Sequence, residues 1–171
     1  MTSSITTLET TDLLSSLATH RDFLRGTLRG LTDEQAASTP TVSALCLGGL
    51  IKHVAYVEAG WARFIALGAA GLGPQDASGY EAHEASLRME PDETVASLLD
   101  AYAEVARATD DLIAGLPDLD VAHPLPEAPW FEPGATWSAR RAVTHILAET
   151  SQHAGHADII REAIDGAKTM G

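Results

Sequence analysis

The 171-residue chain is poor in three things, and each shortage removes a class of function. It holds one cysteine, Cys46, so no internal disulfide can form and nothing calls for an oxidising compartment. Cytoplasmic location is the expectation. It holds only 11 Lys and Arg against 24 Asp and Glu, a net charge of −13 with a pI near 4.7. Nucleic acid or an anionic membrane surface demands clustered cations, and no basic run occurs, so neither is an expected partner. No apolar run approaches the roughly 20 residues that cross a bilayer. Met1–Thr11, mostly Ser and Thr, lacks the basic start and apolar stretch of an export signal. Also missing are strand-like alternation, a His-Glu-x-x-His zinc-protease pattern and a Gly-rich phosphate loop.

What is present is an apolar fraction of 45% and a length that buries a core without staples, so one domain is expected over residues 1–171. Four long segments carry helical periodicity, with Gly and Pro between them. The first runs from about Thr10 to Gly30 along Leu13, Leu14, Leu17, Leu24 and Leu28. A short helical turn follows, with Thr32 and Gln35 at capping-box spacing. The second spans about Ala44 to Leu67 and the third starts at Pro91 and ends near Leu116. Between these two, Gln75–Glu90 reads as polar and irregular, with one short helical piece. About twenty residues holding Pro124, Pro126, Pro129 and Pro133 precede the fourth helix, Ser138 to Asp165, which Gly166 closes. A loop that long in a small bundle is often functional. The reading is all-α: a four-helix bundle with a long loop before the last helix.

A seam of alternating three- and four-residue steps stays on one side of a helix. On the second helix it reads Cys46, Leu50, His53, Val57, Gly60, Phe64, Leu67. On the fourth it reads Ala142, Ile146, Glu149, His153, His156, Ile160, apolar at both ends and ionisable in the middle. Such groups buried unpaired cost several kcal/mol each. A divalent metal ion would satisfy them: Glu149 and His153 stand one turn apart, and His53 is the third ligand if these two helices are neighbours. Two His and one carboxylate, with positions left open, is the ligand set of a catalytic site rather than a closed structural one. A hydrogen-bonded polar core is the ordinary alternative. His156 competes with Glu149 for the ligand position, and His145 lies at the edge of the same face. A two-metal carboxylate centre is not expected, because the third helix has no acidic seam residue at the matching height. Cys46, on the same seam as His53, reads as a small core filler.

The segments Leu47–Trp61 (LGGLIKHVAYVEAGW) and Thr136–Gly166, with its Glu-x-x-x-His-x-Gly-His stretch, resemble the second and last helices of DinB-like bundle proteins. The similarity is greatest to the branch related to mycothiol-dependent transferases and maleylpyruvate isomerase. This resemblance implies His53, Glu149 and His153 as metal ligands and ranks His156 below Glu149. It implies zinc, in some members nickel, and a low-molecular-weight thiol such as mycothiol as cosubstrate. A homodimer follows from family habit. On this reading the chain is a metal-dependent S-transferase joining the thiol to an electrophilic small molecule. His156 and His145 are candidate proton carriers, and Tyr56 and Trp137 candidate cosubstrate contacts. Trp61, Trp130 and Phe131 are further candidates for the pocket wall, and Arg140 and Arg141 for binding an acidic substrate. A thiol-dependent isomerase, a metal-dependent hydrolase and a non-catalytic metal- or ligand-binding bundle are the alternatives.

Overall fold

Side chains that accept from the first free backbone N–H groups fix where each helix begins, in a computed structural model that describes residues 7–169. Thr7 caps α1 (Leu8–Gly26), and Thr32 with Gln35 forms the capping box of α2 (Asp33–Ala37). Cys46 caps α3 (Leu47–Leu67): its Sγ accepts from Gly49 N at 3.3 Å. The cysteine is therefore a buried helix cap, one position before the helix rather than on its seam. Asp76 caps α4 (Ala77–Ser86), Thr94 caps α5 (Val95–Gly115) and Ser138 caps α6 (Ala139–Asp165). Gly166, at φ 79°, ends α6 as the sequence suggests.

Two expectations need correction, and a third is sharpened. Pro91 does not begin the third long helix; it lies in a turn, and the reciprocal Thr94/Ser97 capping box starts α5 four residues later. The one short helical piece within Gln75–Glu90 is a ten-residue helix, α4, longer than its polar sequence suggests. The long loop holds a small antiparallel ribbon, β1 (Ala122–Pro124) with β2 (Thr136–Ser138), in which His123 faces Trp137. Three residues are too few for alternation to register in a sequence.

The four long helices form a ring: α1 packs on α6 and α5, and α3 packs on α5 and α6. This is an all-α four-helix bundle. Two apolar clusters fill it. One gathers Leu24, Leu28, Leu47, Leu50, Ile51, Val54, Leu98 and Ile160; the other gathers Leu17, Trp61, Phe64, Ile65, Ile113, Val143 and Ile146. On every long helix the residues between these clusters include polar ones. Arg21, Glu58, Thr109 and Thr150 are buried there, and Glu149 and His153 lie at the same height on α6. The core is thus two greasy layers separated by a polar belt. Among the described residues no helix is long and apolar enough to cross a membrane.

Candidate metal centre and its cleft

The site begins with two glycines. A Cβ on Gly48 would lie 2.4 Å from Met89 Sδ, and one on Gly49 would lie 2.1 Å from the Leu87 carbonyl oxygen. Only glycine lets the chain just beyond α4 approach α3 this closely. That approach brings the last turn of α4 over His53. His53 is 4% exposed, and its Nδ1 lies 2.9 Å from Ser86 Oγ. The single hydroxyl proton of Ser86 is committed to the His83 carbonyl at 2.6 Å, so Ser86 accepts and His53 Nδ1–H donates. The tautomer follows: Nε2 of His53 carries the free lone pair.

α6 supplies the other groups. His153 stands edge-on to His53, ring centres 5.0 Å apart, and its Nε2 is 3.4 Å from Glu149 Oε2. One ligating atom each from His53, Glu149 and His153 lies within 4.8 Å of the other two. Burial first, then the neighbouring His153 and His83, holds the His53 imidazole down at about 4, so it is neutral at pH 7. The hydrogen bond from His153, opposed by burial, sets the Glu149 carboxyl below its usual value. Two imidazoles, that of His53 held neutral by its burial, and a carboxylate, with their donor atoms converging, match a borderline divalent cation such as zinc. The oriented His53, whose second nitrogen is occupied by Ser86, has the supporting contact that metal-binding histidines ordinarily show.

Glu149 opens onto a cleft of about 400 Å³, with Tyr56, Val57, Gly60 and Trp61 from α3 on one side, Tyr80 and His83 from α4 on another, and Trp130 and Phe131 from the long loop above. His145 also lines it, with Nε2 3.8 Å from Glu149 Oε1 and its ring edge-on to Trp61 at 4.9 Å. Burial lowers the pKa of His145, with Glu149 opposing, so it too is neutral near pH 7. Trp137 stacks on Trp61, centroids 4.6 Å apart and planes 15° from parallel, and stiffens that wall from behind.

A sequence profile of the mycothiol S-transferase family matches residues 12–166, nearly the whole chain. The chain belongs to the mycothiol S-transferase family, within the DinB-like bundles. Membership assigns it to mycothiol-related transferases, which use a low-molecular-weight thiol as cosubstrate. Among curated proteins no sequence matches. In fold the chain is similar to a conserved protein from Enterococcus faecalis, with a TM-score of 0.63 over 92% of this chain and 98% of that one. At 16% identity the likeness concerns the fold alone.

In this mycothiol S-transferase family member, His53, Glu149 and His153 come together, and Tyr56 and His145 reach the same cleft. His156 is not one of that trio: its Nδ1 lies 3.5 Å from His153 Nδ1, behind the ligand set, and it does not line the cleft. Trp137 supports the wall without lining it. Arg140 is occupied by Glu9 and Asp120, and Arg141 lies over the Trp137 ring at 4.6 Å, so neither lines the cleft to meet an acidic substrate. Sequence reasoning missed Ser86, His83 and Tyr80, all on α4. The signal that was available is Asp76-x-Ser78-Gly79, a helix-start pattern ahead of a run with no Pro or Gly until Pro91.

Proposed function

We propose that this protein is a divalent-metal-dependent S-transferase that joins mycothiol to an electrophilic small molecule, with His53, Glu149 and His153 as the metal ligands. The observation that carries the reading is a convergence of two imidazoles and a carboxylate at the wall of a cleft. Among the described residues, the carboxylate's ion-pair partners are only histidines. A divalent cation held there by these three residues would lower the pKa of a coordinated thiol and so favour thiolate, the reactive form, at neutral pH.

The chain's own residues supply the remainder. Ser86 keeps His53 in one tautomer, with its lone pair turned away from α4's backbone. His145, neutral and beside Glu149 on the cleft wall, accepts the thiol proton at Nε2. The sulfur lone pair then forms the C–S bond. In a displacement the leaving group departs with its bonding pair. In a conjugate addition the new carbanion recovers the proton from His145. His156, outside the cleft but against His153, orients that ligand. Trp61, Trp130 and Phe131 screen the reacting atoms from bulk water.

The family and the cleft together favour transfer over the alternatives. With Arg140 and Arg141 engaged elsewhere, an isomerase acting on a dicarboxylic acid has no arginine clamp from the start of α6. Mycothiol consumption with a bimane electrophile, followed with and without chelator, tests the proposal. Consumption that stops on chelation and returns with zinc is the expected result. Ester or amide hydrolysis without thiol, or stoichiometric metal with no turnover on any electrophile, would overturn it.

A further inference from the structure

The chain has three Phe, three Tyr and three Trp, and five of the nine line the one cleft described above. The described residues leave three aromatics exposed: Tyr56 at 38%, Trp130 at 62% and Tyr80 at 64%. All three stand on that cleft. Water-exposed aromatic faces gathered on one concavity are costly unless something flat covers them. They come from three separate parts of the chain, α3, α4 and the loop before β2, so local sequence does not explain their meeting. Trp61 forms the inner wall with its plane set by the Trp137 stack, and Phe131 meets both indoles edge-on. A fixed ring behind and exposed rings at the mouth, with Trp130 itself edge-on to Phe131 at 6.2 Å, form a slot for another ring.

The polar groups of the cleft point the same way. Asp76 Oδ1 accepts from Ser78 N and Ser78 Oγ, Gln75 Nε2 donates to the Gly73 carbonyl, and Arg63 Nε donates to the Gly71 carbonyl. Each spends one atom on the chain's own turns, at the rim away from the aromatic wall. A polyhydroxylated ligand laid across the aromatic faces would have its hydroxyls desolvated there without partners, whereas a flat ring would not. We propose that the cleft binds the electrophile rather than the sugar part of the thiol, and that the electrophile carries a flat aromatic ring system held by Tyr56, Tyr80 and Trp130. This rests on the transferase reading and names its second substrate by class.

The test separates the two. Naphthalene-2-carboxamide, which cannot react, is titrated calorimetrically into metal-loaded protein without thiol. The same is done with its fully saturated decalin counterpart and with methyl glucoside. The expected result is saturable binding of the aromatic amide, roughly tenfold tighter than the saturated one, with no displacement by the glucoside. Trp130→Ala and Tyr80→Ala each weaken it about three- to tenfold, and Trp130→Phe restores most of the loss. Both side chains are exposed, and unchanged thermal melts will verify that the variants fold. Equal affinity for the saturated amide, displacement by the glucoside, or unaltered binding in both alanine variants would overturn the inference. Thiol consumption with iodoacetamide, which is too small to need the slot, is run in parallel. If it persists while the aromatic amide fails to bind, only the slot is wrong. If it is missing while the amide binds, the transferase reading is wrong and the slot stands.

Discussion

Two polar clusters occupy the belt between the apolar layers, and they are completed in opposite ways. Toward α1 and α5, the Arg21 guanidinium meets Glu58 at 2.5 and 3.2 Å and Asp110 at 2.8 Å. Arg21 is 4% and Glu58 0% exposed, and both belong to the folded interior. Toward α4 and α6, Glu149 has the histidines His145 and His153 where the first cluster has a guanidinium. One cluster carries its cation in the sequence; the other has the lone pairs for a cation without the cation. The first holds helices together, and on the proposed reading the second is arranged for a metal ion.

Removing a group from the second cluster should therefore change binding far more than folding. His153→Ala is expected to lower zinc affinity at least roughly 100-fold and bring activity to background, while the melting temperature of the metal-free protein hardly moves. His156→Ala keeps the metal and loses only part of the activity. Elemental content beside chelator-treated melts measures both. Equal metal loss in the two variants would make His156 a ligand and break the trio.

The opposite pattern is expected of the first cluster. Glu58→Ala leaves Arg21 buried with only the half-exposed Asp110, which costs about 3–5 kcal/mol of stability by urea unfolding. The fraction that still folds should keep its zinc stoichiometry. Replacing the pair together, Arg21→Met with Glu58→Leu, should recover most of the loss, because apolar contacts replace both desolvated charges at once. A double variant no better than Glu58→Ala would mean the pair has a function beyond holding α1 on α3.

These clusters were unequally legible in the sequence. Glu149 and His153 sit one turn apart where Leu or Ile belongs, and that anomaly can be read without coordinates. Arg21 and Glu58 are 37 residues apart and each looks like an ordinary surface charge. The strict heptad seam on α3 also misled: it included Leu67, which is 66% exposed, and passed over Glu58, which is fully buried. A straight helix drifts by about 20° per heptad against a 3.5-residue repeat, so the two ends of a 21-residue helix cannot both stay on such a seam. Ser86 and His83 were hidden for another reason. α4 is polar on most of its surface, and its role depends on the close approach that Gly48 and Gly49 allow.

Acid distinguishes the clusters again, because only the second contains histidine. In the folded state His53 titrates at about 4, against 6.5 ordinarily. Between those values the unfolded chain binds the proton and the folded chain does not, so stability is full above about pH 6.5 and declines as pH falls toward 4. The lowered Glu149 carboxyl extends the loss below its usual range, in the same direction. The decline for metal-free protein is expected to be about 3 kcal/mol, measured by urea unfolding at a series of pH values. His53→Gln should flatten it. Bound zinc should steepen it, since protons then compete for the same lone pairs.

The smallest effect is expected at Cys46, which lies in neither cluster. Its Sγ stands in for the hydroxyl that usually caps a helix, accepting from Gly49 N. Serine is a better acceptor in that role, while its hydroxyl is costlier to bury than a thiol at a site 4% exposed. The two effects oppose, so Cys46→Ser should change stability by less than about 0.5 kcal/mol and leave turnover and zinc content unaltered. A reactive thiol at this position would predict the reverse, with activity lost at constant stability. Cys46→Ala removes the cap altogether and should cost about 1 kcal/mol, again without touching turnover. If both variants kept their zinc but lost turnover, the chain's own sulfur would have to enter the chemistry assigned here to the small thiol.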